Sequence, residues 1–105
     1  ISLERFVELT STNPAKMYGL YPQKGSIRVG SDADITIWDP NKKNKIEQIN
    51  LSHGSDYTPY EGLDITGWPI QTWLRGNKIY DHNEFVVDEN LGKYISRDFC
   101  MLWNK

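Results

Sequence analysis

Two aspartates on either side of an alanine, Asp32-Ala33-Asp34, form the first candidate site in this sequence. Residues two apart share one face of a strand, so the two carboxylates could converge on a metal ion or act as an acid–base pair. They follow Gly30-Ser31, a context in which aspartate commonly accepts hydrogen bonds from backbone amides in a turn. No third ligand is adjacent, so the pattern favours turn capping.

The two histidines, His53 and His82, each stand alone in a predicted loop. His82 lies between Asp81 and Asn83 in a predicted hairpin turn, which favours a solvated side chain. His53 has Asp56 nearby, but a zinc site usually needs at least three protein ligands. The sequence therefore predicts no catalytic residue, no cofactor-binding residue and no metal ligand in this chain.

The single cysteine, Cys100, has Arg97 nearby but no histidine in the surrounding tail, so a nucleophilic role is not predicted. The sequence also lacks the glycine-rich phosphate loops and the common hydrolase motifs. One cysteine cannot close an internal disulfide, which favours a reducing compartment such as the cytoplasm.

The composition is that of an ordinary folded protein, with 105 residues, 38% hydrophobic and 25% charged. The net charge is −2 and the two signs are intermixed, which argues against a nucleic acid partner. No apolar run approaches the length of a membrane span. The first residues already belong to a helical apolar pattern and show neither a signal peptide nor an initiator Met, so we expect the chain to start inside a longer protein.

The first part of the chain is predicted to form two short helices. Residues 2–12 carry an apolar stripe at helical spacing, and Ser2 suits the N-cap. Asn13 and Pro14 predict a restart, with Asn13 as a second N-cap and Pro14 in the first helical turn. Gly19 is predicted to end the second helix.

After Pro22 the apolar residues alternate with a period of two, which predicts about six short strands. These are placed at 25–30, 35–39, 45–49, 70–74, 78–81 and 85–87. Asp39-Pro40 is predicted to stop the second strand and Pro69 to open the fourth, and tight turns are predicted at residues 75–78 and at His82-Asn83. Residues 52–68 are rich in Gly, Ser, Thr, Asp and Pro and predict a long surface loop with a functional or interface role. The predicted strands lack partners on every edge, so we expect other polypeptide to complete the sheet.

Particular stretches resemble a known family more specifically than any periodicity does. Residues 12–20 (TNPAKMYGL) resemble the helix that closes the barrel in the amidohydrolase superfamily. Residues 24–35 (KGSIRVGSDADI) resemble the turn, strand and turn by which the chain then leaves that barrel. Further stretches are similar to the hydantoinase and dihydropyrimidinase branch: 56–63 (DYTPYEGL), 66–69 (TGWP), 75–77 (RGN) and 92–97 (GKYISR).

The resemblance implies a mixed α/β parent with a (β/α)8 barrel and an accompanying β-sandwich, of which this chain is the C-terminal segment. Residues 1–20 would be the terminal helices of the barrel domain, and residues 21–87 the C-terminal portion of the sandwich. Residues 88–105 would be a tail that contacts other subunits of a homotetramer, with Phe99 and Trp103 as apolar anchors.

The resemblance also implies a metal-dependent hydrolase that opens hydantoin or dihydropyrimidine rings. In that family two metal ions, usually zinc, are bridged by a carboxylated lysine and held by histidines and an aspartate of the barrel. A metal-activated hydroxide attacks the amide carbonyl. None of those ligands maps onto this chain, so its partners would be the rest of the parent chain, and the segment alone is not expected to be active.

Alternative functions remain open at this level. Collapsin-response-mediator proteins share the fold but act as interaction proteins without the metal centre, and an allantoinase is a third possibility. A free-standing β-module is the simplest alternative. The deciding feature for catalysis would be the His-x-His pair and the lysine of the parent barrel.

Overall fold

The structure, a computed structural model, describes residues 1–86 and 90–102. A helical segment at the N-terminus comprises α1 (Leu3–Val7), a π-helical turn (Glu8–Thr12) and α2 (Asn13–Met17). An antiparallel sheet follows, with its strands in the order of the sequence. Its strands are β1 (Ile35–Lys45), β2 (Asp64–Leu74), β3 (Asn77–Asp81) and β4 (Glu84–Phe85).

The helix begins where the sequence predicts. Ser2 has an extended backbone, and its hydroxyl accepts a hydrogen bond from the Arg5 amide at 3.2 Å. This satisfies one of the amides that the first helical turn leaves without a partner. Hydrogen bonding to a backbone amide and to Ser2 also lowers the pKa of Glu4, whose negative charge lies at the positive end of the helix dipole.

The predicted restart at Asn13 is wrong. Asn13 has helical backbone angles (φ −68°, ψ −43°), and its amide donates to the carbonyl of Glu8, five residues earlier. Pro14 has no amide proton, and its ring crowds the preceding turn. The wider π-helical turn before Pro14 accommodates the ring, so the helix continues instead of breaking.

The helix ends at Gly19, as predicted, because this residue adopts a left-handed conformation (φ +66°). The Leu20 amide donates to the Ala15 carbonyl at 2.8 Å, and the Gly19 amide donates to the Lys16 carbonyl at 3.3 Å. This pair of bonds is the Schellman motif, which satisfies carbonyls of the last turn.

The strand predicted at residues 25–30 is absent, and the chain forms an irregular loop there. The hydroxyls of Ser26 and Ser31 both donate to the Pro22 carbonyl, at 3.0 and 2.6 Å. Such local bonds compete with strand pairing, and the loop has no ladder partner among the described residues. The apolar side chains that suggested a strand, Ile27 and Val29, are fully exposed.

β1 continues past Pro40, where the sequence predicted a stop. The register between β1 and β2 shifts between Asp39 and Lys43, so Pro40 falls in a bulge where no ladder amide is needed. The strand predicted at 45–49 is also wrong, since β1 ends at Lys45 and Gln48–Asn50 is a 3-10 turn.

β2 begins at Asp64, earlier than predicted, which shortens the irregular loop before it. Pro69 lies inside β2 rather than at its start, opposite Trp38, where the register shifts by one residue. Both proline positions show how a strand tolerates the missing amide at an irregularity. The sheet therefore has fewer and longer strands than the six short ones predicted.

Two tight turns connect the last three strands, as the sequence predicts. Arg75-Gly76 has φ values of +46° and +80°, and His82-Asn83 has +45° and +76°. Two successive positive φ values are the mark of the type I′ turn, whose twist matches that of the flanking strands. The predicted strand at 85–87 is observed only at Phe85, and Val87 lies outside the described residues.

Little apolar surface is buried. Ala15, 5% exposed, is the one buried hydrophobic residue in the part of the chain that the structure describes. A T-shaped contact between the rings of Phe6 and Trp38, with centroids 5.7 Å apart, joins the helix to β1. The described residues form one sheet layer, so the predicted sandwich remains a prediction. They include no helix long and apolar enough to cross a membrane.

Candidate functional site

The aspartates singled out by the sequence do converge, but on a lysine. Asp32 and Asp34 lie in the loop that leads into β1, and the Lys24 ammonium sits between them. The Lys24 Nζ atom is 2.8 Å from Asp32 Oδ2 and also binds Asp34 Oδ2. The three side chains are 16%, 24% and 31% exposed, so the group is only partly buried and lies at the surface of the chain. We call it the Lys24 cluster.

The ammonium and the two carboxylates of this cluster stabilise one another's charged forms. Burial acts to lower the pKa of Lys24, but hydrogen bonds to Asp32 and Asp34 outweigh it and raise that pKa. The pKa of Asp32 is lowered by the hydrogen bond from Lys24 and by a second one from Gln23, at 3.1 Å. A metal ion would have to displace the ammonium to reach these carboxylates.

The cluster also caps a turn. Asp34 Oδ1 accepts a hydrogen bond from the Arg75 amide at 2.8 Å, and the Ala33 carbonyl accepts one from the Gly76 amide at 3.0 Å. Both donors belong to the type I′ turn between β2 and β3. The sequence suggested local turn capping by these aspartates, but the capped turn is one that lies far along the chain.

Neither histidine joins the Lys24 cluster. His53 is exposed, and its Nδ1 atom accepts a hydrogen bond from the Ser55 amide at 3.2 Å. His82 occupies its hairpin turn, as predicted, with Nδ1 2.5 Å from Asp81 Oδ1. Across residues 1–86 and 90–102, no three His, Cys, Asp or Glu side chains are grouped closely enough to hold a metal ion. Cys100 is an exposed free thiol.

A second charged group, around Asp81, was missed by sequence analysis. Its carboxylate accepts hydrogen bonds from Lys78 at 2.5 Å and from Gln71 Nε2 at 3.1 Å, in addition to its contact with His82. Lys78, then His82 and Gln71, lower the pKa of Asp81 to about 2. The spacing of Lys78 and Asp81 could not reveal this contact, because residues three apart on a regular strand point to opposite faces. The β2–β3 ladder is irregular here, with a register shift between Thr72 and Trp73.

Comparison with known proteins identifies the family to which this chain is similar. A family model described as "Amidohydrolase family" matches residues 1–79. The chain is 47% identical over 97 residues to a D-hydantoinase of Ralstonia pickettii, an alignment that covers 92% of this chain and 21% of that protein. These matches confirm the resemblance to hydantoinases that the sequence motifs indicated.

Solved structures agree with the sequence matches. A D-hydantoinase structure superposes with a TM-score of 0.90 at 46% identity, covering 96% of this chain and 22% of that one. A dihydropyrimidinase from Brevibacillus agri NCHU1002 superposes with a TM-score of 0.79 at 43% identity, covering 82% and 19%. The chain thus spans about a fifth of the length of the relatives it matches.

Replacing the central lysine tests whether the Lys24 cluster holds the β2–β3 turn. In Lys24→Met the two carboxylates lose their shared cation and repel each other. The hydrogen bonds from the Arg75 and Gly76 amides to Asp34 and Ala33 should therefore weaken. We expect exchange of the Gly76 amide hydrogen to accelerate roughly tenfold, the effect of losing about one net hydrogen bond. NMR-detected hydrogen exchange measures this.

The matched control is Lys43→Met, because Lys43 is exposed on β1 and has no ion pair within the described ranges. Its substitution should leave exchange at Gly76 unchanged. Equal exchange in the two variants would contradict a role for Lys24 in holding the turn.

The Asp81 group predicts a dependence of hairpin stability on acid. Because the pKa of Asp81 is about 2 in the folded chain and ordinarily 3.8, its contribution to stability is present above pH 3.8 and is lost as pH falls toward 2. NMR titration of the carboxyl should give this low value. In Lys78→Met the pKa should rise toward 3.8, whereas Lys43→Met should not change it; a value near 3.8 in the unsubstituted protein would refute the interaction.

Proposed function

Because the chain belongs to the amidohydrolase family, we propose that it is part of a longer metal-dependent hydrolase that opens cyclic amide rings. The observation that carries the proposal is the agreement with hydantoinases in both sequence and backbone across nearly the whole chain. The proposed substrates are hydantoins or dihydropyrimidines. Water hydrolyses one amide C–N bond of the ring. The carbonyl carbon becomes a carboxylate, and the nitrogen takes up a proton and stays on the opened product as an NH2 group.

The proposed metal is zinc, as a binuclear centre, and the described residues do not fit it. A zinc site needs at least three convergent ligands, and the described part of the chain contains no such group. Its paired carboxylates, Asp32 and Asp34, already share the Lys24 ammonium, which lies where a metal ion would have to bind. We therefore derive no catalytic step from this chain and propose that the metal ligands belong to the remainder of the full-length protein.

The proposed role of the chain is structural. Residues 1–20 would pack as terminal helices against the barrel, residues 21–87 would form part of the sandwich, and residues 88–105 would form the tail. Exposed apolar side chains on the helix support the first of these placements. Leu3 and Val7, one helical turn apart, are 80% and 51% exposed, a stripe that a neighbouring domain would cover.

Metal content and hydrolysis test this proposal in the full-length protein that contains the chain. We expect about two zinc ions per subunit and turnover of hydantoin or dihydrouracil that chelation abolishes. Elemental analysis and a ring-opening assay measure these quantities. Protein purified without chelator that holds no stoichiometric metal and opens neither ring would contradict the proposal and would favour the non-catalytic relative. Hydrolysis of allantoin instead would favour an allantoinase.

We also propose that the parent is a cytoplasmic homotetramer in which the tail contacts other subunits. Phe99 supports this because its ring is 89% exposed, and an apolar ring so placed is a common anchor of an interface. Trp103, the other predicted anchor, lies outside the described residues. The exposed thiol of Cys100 is compatible with a reducing compartment.

Truncating the Phe99 ring tests the proposed contact. Phe99→Ala should shift the full-length protein from tetramer toward smaller species, because the interface loses buried apolar area. Phe85→Ala is the control, since Phe85 is also an exposed phenylalanine but lies on β4, outside the tail. Sedimentation velocity distinguishes the species, and a tetramer of unchanged stability in Phe99→Ala would count against the contact.

A further inference from the structure

The described part of the tail, residues 90–102, lies along the molecule without regular helix or strand. It is held at both ends. Near its start, the Arg75 guanidinium donates to the Leu91 carbonyl. Near its end, the Asp98 amide donates to the Gly19 carbonyl at 2.9 Å, and the Met101 amide donates to the Lys16 carbonyl at 2.9 Å. We call this segment the strap.

The far end of the strap completes the cap of the helix. Carbonyls of the last helical turn lack partners within the helix and need donors from elsewhere. The Schellman bond to the Lys16 carbonyl is long, at 3.3 Å, and the Met101 amide supplies a shorter one to the same oxygen. The strap therefore contributes two main-chain donors to the helix terminus, through Asp98 and Met101.

Gly19 makes this close approach possible. A Cβ atom on Gly19 would lie 1.9 Å from the Asp98 carbonyl oxygen and 2.8 Å from the Asp98 nitrogen, well inside contact distance. The obstacle is main chain, which cannot move aside as a flexible side chain can. Gly19 is thus required twice, once for its positive φ and once for the space that the strap occupies.

The near end of the strap is tied to the same turn as the Lys24 cluster. The Arg75 amide donates to Asp34 Oδ1, and the Arg75 guanidinium donates to the Leu91 carbonyl. Lys24 lies just beyond the helix, and its amide donates to the Leu20 carbonyl at 2.9 Å. The loop after the helix and the strap therefore both connect the C-terminal end of the helix to the β2–β3 turn.

We propose that the strap is a latch that fixes the C-terminal end of the helix to the sheet, with Gly19 and Arg75 as its two holding points. The Phe6–Trp38 contact holds the N-terminal half of the helix. With the strap docked, the helix is fixed at both ends. With it released, the helix end is held through the loop of residues 20–34 alone. This inference does not depend on the proposed hydrolase activity.

Gly19→Ala in the full-length protein tests the latch. The methyl group excludes the Asp98 backbone, so we expect hydrogen exchange at the Asp98 and Met101 amides to accelerate at least tenfold. Gly30→Ala is the matched control, because Gly30 also has positive φ (+93°) but has open space where its Cβ would lie. Unchanged exchange at Asp98 and Met101 in Gly19→Ala, or the same acceleration in Gly30→Ala, would overturn the proposal.

Arg75→Met provides a second test should Gly19→Ala fail to fold. It removes the guanidinium that holds Leu91 but leaves the Arg75 amide free to donate to Asp34. We expect faster tryptic cleavage after Lys93 and Arg97, both in the strap. Arg5→Met is the control, since the Arg5 guanidinium pairs with Glu8, 2.6 Å away, in the N-terminal half of the helix. Cleavage at the unsubstituted rate in Arg75→Met would overturn the proposal.

Discussion

The ion pairs of Lys24 with Asp32 and Asp34 bring together parts of the chain that no regular element connects. Lys24 follows the helix, the aspartates precede β1, and Asp34 reaches the amide of Arg75 in the β2–β3 turn. Hydrogen bonds between charged groups are shorter and stronger than those between neutral groups, and the partial burial of Lys24 and Asp32 reduces their screening by water. The orientation of the helix relative to the sheet depends on this junction, because few apolar contacts span the two.

That dependence follows from how little the chain buries. With Ala15 as the one buried hydrophobic residue among those described, burial of apolar area cannot supply most of the stability. Several apolar side chains of the helix and of β1 are exposed, and those of β2 are only half-buried. A domain of this kind needs a neighbour to cover it, which agrees with relatives about five times its length.

The Lys24 cluster also illustrates why a pair of carboxylates is weak grounds for a metal site. Spacing alone predicted that Asp32 and Asp34 could face one point, and they do. What occupies that point was decided by Lys24, which the sequence shows eight residues before Asp32 with no sign of their contact. Spacing can bring two carboxylates together, but the path of the intervening loop decides which cation lies between them.

The features that the sequence determined by itself are local. Ser2 as N-cap, Gly19 as helix end and the turns at Arg75-Gly76 and His82-Asn83 follow from backbone preferences of single residues and their immediate neighbours. The motifs of the amidohydrolase family were equally visible. Tertiary structure alone decided that β1 passes Pro40 through a bulge, that residues 25–30 form no strand, and that Gly19 receives the strap. The bulge and the strap depend on partners distant in sequence, and the missing strand reflects the lack of such a partner as well as the local bonds to Pro22. Local propensity carries no information about such pairing.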